Sequence, residues 1–150
     1  MSAAHGIAVA VIFMWLGMVV AISFIEAPLK FRAPGVSLQV GLGIGRLVFR
    51  ALNTAEVALA MPLLIAIAAD PPSSAATVAV GVVVAALATQ LLTVRPALSR
   101  RSDAVLAASA PAFTAPAGSA RRSRTHYGYV ALELVKVVAL IIGGVALLAA

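Results

Sequence analysis

Residues 126–148 read HYGYVALELVKVVALIIGGVALL. A helix needs about 20 mostly apolar residues to cross the roughly 30 Å of membrane hydrocarbon, and this run has that length. Only Glu133 and Lys136 carry charge within it. A surface helix of a soluble protein keeps a polar stripe toward water; this stretch has no polar face wide enough to serve. It reads as a membrane span with two charges inside it.

Working outward, three more stretches have the same character. The first span is expected over 7–25, ended by Pro28, because proline lacks a backbone donor and disfavours helix in the residue before it. The second is expected over 46–69, with an interfacial lead-in from Val36 and a bend at Pro62. The turn-forming run Asp70, Pro71, Pro72, Ser73, Ser74 separates it from the third, over 75–94, which Pro96 closes. The valine-rich 78–84 has strand character by composition, but a lone strand in lipid leaves its backbone unpaired. The fold class expected is therefore all-α: one integral membrane domain over 1–150, a four-transmembrane-helix bundle. Rows of small residues at Gly41 and Gly45, at Gly81, Ala85 and Thr89, and at Ala139 and Gly143 have the spacing at which helix backbones approach closely in lipid.

Composition agrees. Of 150 residues, 63% are hydrophobic and 11% charged, against about 25% charged in a typical soluble domain. The mean hydropathy is +1.09. Cysteine is absent and there are two histidines, which excludes disulfides and thiolate sites and leaves little for a zinc site. Residues 1–6 carry no lysine or arginine, and no small-residue cleavage site follows the first apolar run, so no removable signal peptide is expected.

The net charge of +6 reflects where the cations sit. Lys30 and Arg32 fall in the first connection, and Arg95, Arg100, Arg101, Arg121, Arg122 and Arg124 in the third. Loops facing the cytoplasm carry the lysine and arginine excess, so both termini are expected outside, with a long basic cytoplasmic connection between helices three and four. Within it, Leu98, Val105 and Leu106 would line one side of a short helix lying on the anionic leaflet. Arg100, Arg101, Arg121, Arg122 and Arg124 are candidate contacts for lipid headgroups. No aromatic residues interleave with them, which argues against nucleic acid.

Glu26, Glu56 and Glu133 all lie in or at the end of spans. Ionisable groups in hydrocarbon are costly and face a bundle interior in pairs. On the second span Arg46, Arg50, Asn53 and Glu56 follow one another at intervals of four, three and three, a ladder read as one helix face. On the fourth, Glu133 and Lys136 share a face, with His126 two turns earlier. At 1.5 Å per residue Glu56 lies roughly 15 Å along from Arg46, and Glu133 and Lys136 roughly 10 and 15 Å along from His126, levels read as matching Arg50 to Glu56. The pairing expected is Arg50 with Glu133 and Glu56 with Lys136, Asn53 bridging, in a cluster where Glu26, Glu56 and Glu133 balance Arg46, Arg50 and Lys136. The first span ends near this level with Ser23 and Glu26, the third with Gln90, Thr93 and Arg95. Trp15, near mid-span, reads as lipid or helix packing.

His5, then Trp15, Leu16, Gly17, then Phe24, Ile25, Glu26, Ala27, Pro28, together with GRLVFRALN at 45–53 and YVALELVK at 129–136, resemble an uncharacterised family of small four-helix bacterial membrane proteins of the copper-resistance-protein-D-like kind. The resemblance implies a multi-pass protein of the bacterial inner membrane. It is distantly similar to the haem-binding protoporphyrinogen oxidase of four-helix type, which places a histidine before a Trp-and-Gly stretch in helix one. This implies His5 as a candidate axial haem ligand. In the expected topology, however, His5 and His126 lie at opposite membrane faces.

No serine–histidine–carboxylate set, phosphate loop or metal-ligand cluster supports hydrolytic or phosphoryl chemistry, so the reading leans away from an enzyme. The preferred expectation is a buried charged cluster in the cytoplasmic half that binds or passes a small ion or ligand. The alternatives are a non-catalytic accessory subunit or assembly factor of a larger membrane complex, and a haem- or quinone-binding membrane oxidoreductase. Expected partners are membrane lipids, other membrane subunits or further copies of the chain.

Overall fold

Every described element is helical, and four helices are long and apolar enough to cross a membrane. The computed structural model describes residues 2–94 and 119–149, with side chains described except at 38–39, 42, 93–94 and 119–127. The expected surface helix around Leu98, Val105 and Leu106, with Arg95, Arg100 and Arg101, lies outside the described residues. So do the side chains of Thr93, Arg121, Arg122, Arg124 and His126.

Helix α1 covers Ala3–Arg32 without a break. It is α-helical over Ala3–Val19, π-helical over Val20–Glu26, α-helical again over Ala27–Leu29 and 3-10 over Lys30–Arg32. The expected end before Pro28 is thus corrected. In the π stretch hydrogen bonds run to the fifth residue back, as from the Ala27 N–H to the Ile22 carbonyl. That wider coil gives the proline ring room, and Pro28 enters a new first turn, where its missing donor costs nothing. The chain reverses at Ala33, Pro34, Gly35, Val36. Val36 N–H bonds the Ala33 carbonyl at 3.2 Å and Gly35 takes φ 79°, the geometry of a type II turn with Pro then Gly at its centre.

Helix α2 spans Leu38–Ala69, taking in the expected lead-in as well as the span 46–69, and Pro62 is accommodated inside it. Ser37 caps its start by accepting the Val40 N–H at 3.3 Å. Helix α3 is α-helical over Ser74–Thr89 and π-helical over Gln90–Val94, and Ser73 caps it by accepting the Ala76 N–H at 3.4 Å. Helix α4 covers Ser119–Leu148, and its apolar part is Gly128–Leu148.

Around the bundle the order is α2, α1, α4, α3: α1 packs on both α2 and α4, α3 packs on α4, and α2 meets α3 only sparsely. At one end the Ser2 hydroxyl donates to the Asp70 carboxylate, joining the start of α1 to the turn between α2 and α3. The interior is filled by Ile12, Val19, Leu63, Val80, Val83, Leu140 and Leu147. Large apolar side chains such as Leu47, Ile65, Val78 and Leu92 point outward instead, each more than 60% exposed. Water penalises such a surface, whereas lipid tails accept it.

The small-residue rows divide. A side chain at Gly143 would meet Ala79 at 3.3 Å, and one at Gly144 would meet Phe13 at 2.8 Å and Ile12 at 3.2 Å. These glycines let α1 and α3 close on α4. Gly41 and Gly45 instead seat side chains from the tail of α1: the Phe31 ring lies over Gly41, and Lys30 Nζ would be 2.9 Å from a side chain at Gly45. Gly81, Ala85 and Thr89 are exposed, so that row faces outward.

Candidate functional site: a buried carboxylate–ammonium cluster

Three ionisable side chains meet in the interior. Glu56 stands on α2, and Glu133 and Lys136 stand one turn apart on α4; none is more than 1% exposed. The i, i+3 spacing brings Glu133 and Lys136 to one face of α4. Helical side chains lean toward the helix N-terminus, which tips Lys136 back over Glu133. Its ammonium donates to Glu133 Oε1 at 3.1 Å and to Glu56 Oε1.

Each of those oxygens receives a second donor. The Trp15 indole N–H donates to Glu56 Oε1 at 3.0 Å, and the Gln90 amide donates to Glu133 Oε1 at 2.8 Å. All four helices therefore contribute one face to the cluster. The result is nearly symmetric: two doubly served Oε1 atoms flank one ammonium. Glu56 Oε2 and Glu133 Oε2 are buried without a protein partner, as are Gln90 Oε1 and Asn53 Oδ1. Buried polar atoms are nearly always satisfied, so four such oxygens in and around one cluster leave acceptor capacity open to a further donor, whether water, a proton or a cation.

The position along the bundle follows from residue counts. Measured from the Ser2 and Asp70 end at 1.5 Å per residue, Trp15, Glu56, Gln90, Glu133 and Lys136 all lie roughly 18–25 Å deep. That is past the midpoint of a hydrocarbon layer about 30 Å thick.

Glu56 and Lys136 come together as their matched depths imply. Glu133 pairs with Lys136 and Gln90 rather than with Arg50. Arg50 is exposed on α2 and lies outside the cluster, and Arg46 is half-buried nearer the helix start. Asn53 is buried, but its side-chain oxygen bridges nothing. Glu26 belongs to a separate group at the far end of α1, where its carboxylate accepts from Lys30 at 3.4 Å. Lys30 Nζ also lies 5.2 Å from the centre of the Phe49 ring, and Phe49 stands edge-on to Tyr129 at 5.2 Å. The expected balance of three carboxylates against three cations is corrected: the buried contact group holds two carboxylates and one ammonium.

Trp15 is the residue the sequence reading missed. It is fully buried and is a donor to the cluster, not a packing residue alone. The available signal was its depth, which equals that of Glu56. Gln90 was recognised as polar at the right level, but not as a partner of Glu133. It begins the π-helical stretch of α3, a feature frequent at functional sites.

His5 lies in the first turn of α1, half-buried, with its backbone N–H on the Ser2 hydroxyl at 3.0 Å. It sits near the end opposite Lys30. The interior beyond it is filled by Ala8, Ile12 and Trp15, and the described residues around it supply no second axial ligand. The residues present do not fit a haem. A shallow groove of about 670 Å3 on the outer face of α3 and α4 is lined by Val78, Val82, Leu134, Val138 and Ile142 among others, and holds no ionisable side chain.

Fold and cluster together define a helical multi-pass membrane protein with a charged interior. No protein-family model, curated protein or solved structure matches the chain, so its chemistry is read from its own residues.

Proposed function

We propose that this protein binds a small cation at the cluster of Glu56, Glu133 and Lys136, with Asn53 and Gln90 supplying further oxygen. The observation that carries this reading is the contact group itself: two carboxylates on one ammonium, all at most 1% exposed, within four apolar spans. A charge pair that only fixed helix register would need one carboxylate. Burying a second one is costly unless something positive joins it.

In the same proposal, the end of the bundle bearing Lys30 faces the cytoplasm. Lys30 and Arg32 lie there, and the arginines of the third connection belong to the same side by their place in the chain. Cytoplasmic loops concentrate such residues. Arg100, Arg101, Arg121, Arg122 and Arg124 would then meet anionic headgroups, and the membrane would be the bacterial inner membrane that the resemblance implies.

The test is a thermal-unfolding series on purified full-length protein in mild detergent, across pH and across sodium and potassium concentration. Wild type is expected to gain thermal stability as the bound cation becomes more abundant, because a ligand that binds only the folded state stabilises it by mass action. Glu56→Gln and Glu133→Gln are expected to lose that dependence. An unchanged dependence in both variants would remove the cluster from consideration.

A further inference from the structure

We infer that the cation is a single proton, shared between Glu56 and Glu133, and that it reaches them only from the end of the bundle where Lys30 lies. The inference rests on the cation-binding reading above and gives that site its ligand and its direction.

Charge sets the number. The contact group carries two carboxylates and one ammonium, a formal excess of one negative charge. Helix α1 faces the group with an uncharged indole, and α3 with an uncharged amide. On α2 and α4 the nearest other titratable or charged side chains are Arg46 and Arg50, toward the start of α2, and Tyr129 on α4. Glu26 and Lys30 of α1 form their own pair farther along. One proton makes the group neutral.

The hydrogen bonds set the place. Both Oε1 atoms are occupied by Lys136 and a second donor, while both Oε2 atoms lack any partner. A proton on either Oε2 removes the excess charge and leaves the Lys136 contacts, all made to the Oε1 atoms, intact. No covalent bond other than O–H is made or broken.

The two halves of the interior set the direction. Toward Ser2 and Asp70 the core is Ile12, Leu63, Val80, Leu140 and Leu147, each at most 3% exposed. Among the described residues, no buried polar side chain lies on that side. Toward Lys30 the interior is polar in steps. Asn53 Oδ1 and Ser23 Oγ are buried and unpartnered, and beyond them stands Lys30 with Glu26, against Phe49 and Tyr129. A proton moves along polar groups and the water they hold. The apolar half offers no such relay, so the site is a dead end and not a conduit.

The protein carries its own reporter. Trp15 is the single tryptophan of the chain, and its indole N–H rests on Glu56. Full-length protein would be reconstituted into liposomes, its orientation fixed by labelling, and Trp15 emission followed after a pH jump on one side. Infrared spectra of the same samples would count protonated carboxyls. The expected result is one buried protonated carboxyl per chain, absent in both Glu56→Gln and Glu133→Gln. Emission should respond at least 10-fold faster to a jump on the Lys30 side, and Glu56→Gln should abolish the response. Equal responses from both sides would overturn the one-sided route. No protonated carboxyl, with emission responding to sodium or potassium, would overturn the proton while leaving cation binding standing. No response to any cation would overturn both.

Discussion

Lys136 has three N–H donors and, inside a bundle surrounded by hydrocarbon, almost no water to give them to. It is fully buried and holds two carboxylates. Removing one partner of a buried charged group costs about 3–5 kcal/mol. Lys136→Met is therefore expected to destabilise the fold by that amount, read as a shift in denaturation by detergent titration. Arg50 gives the contrast. It is exposed, and exposed substitutions change stability by only about 0.5 kcal/mol either way, so Arg50→Ala should leave the denaturation curve in place. An equal loss in both variants would mean that Arg50 takes part in the interior. The sequence made Arg50 look like a member because depth was legible and rotation was not. At about 100° per residue, Arg50 lies roughly 120° around α2 from Glu56, so a ladder at intervals of four, three and three drifts off its face. Trp15 was hidden for the same reason: its level was visible, but not the side of α1 it occupied.

The helices themselves were legible as lengths of apolar sequence, and their ends were not. Pro28 is a strong stop in an α-helix, yet the π stretch before it lets α1 run on to Arg32. A single extra residue in a turn leaves the apolar count unchanged, so nothing in hydropathy marks it. The π stretch at Gln90–Val94 is silent in the same way. Small-residue rows were visible as spacing, but spacing does not say which side of a helix meets a neighbour. Gly144 and Gly81 show the difference: one would place a side chain 2.8 Å from Phe13, the other meets nothing within 4 Å. Overpacking costs about 1–3 kcal/mol. Gly144→Leu is expected to lose about that much as α1 is forced from α4, while Gly81→Leu should lose nothing and gain up to about 0.5–1 kcal/mol of helix propensity. Thermal denaturation of the two variants in the same detergent decides it.

Across the whole molecule the two ends differ. One is closed by the contact of Ser2 with Asp70 over an apolar core, and the other carries Lys30, Glu26 and the polar approach to the cluster. This asymmetry was legible in the sequence, because every glutamate and most cations of the spans fall toward one end. Its orientation in a cell can be read directly, since the chain lacks cysteine. Ser73→Cys and Ala33→Cys each introduce one thiol in a described, exposed turn. A membrane-impermeant maleimide added to intact cells is expected to label Ser73→Cys and to spare Ala33→Cys until the membrane is opened. The reverse pattern would invert the proposed topology and put the Lys30 end outside.

Glu56 and Lys136 are 80 positions apart, and a ribosome makes about 5–20 residues per second. Glu56 is thus synthesised roughly 4–16 s before its counter-ion exists. Trp15 is already present by then, and α1 packs directly on α2. The first hairpin can enter lipid with its carboxyl resting on the indole, and the charge pair is completed only when the last helix arrives.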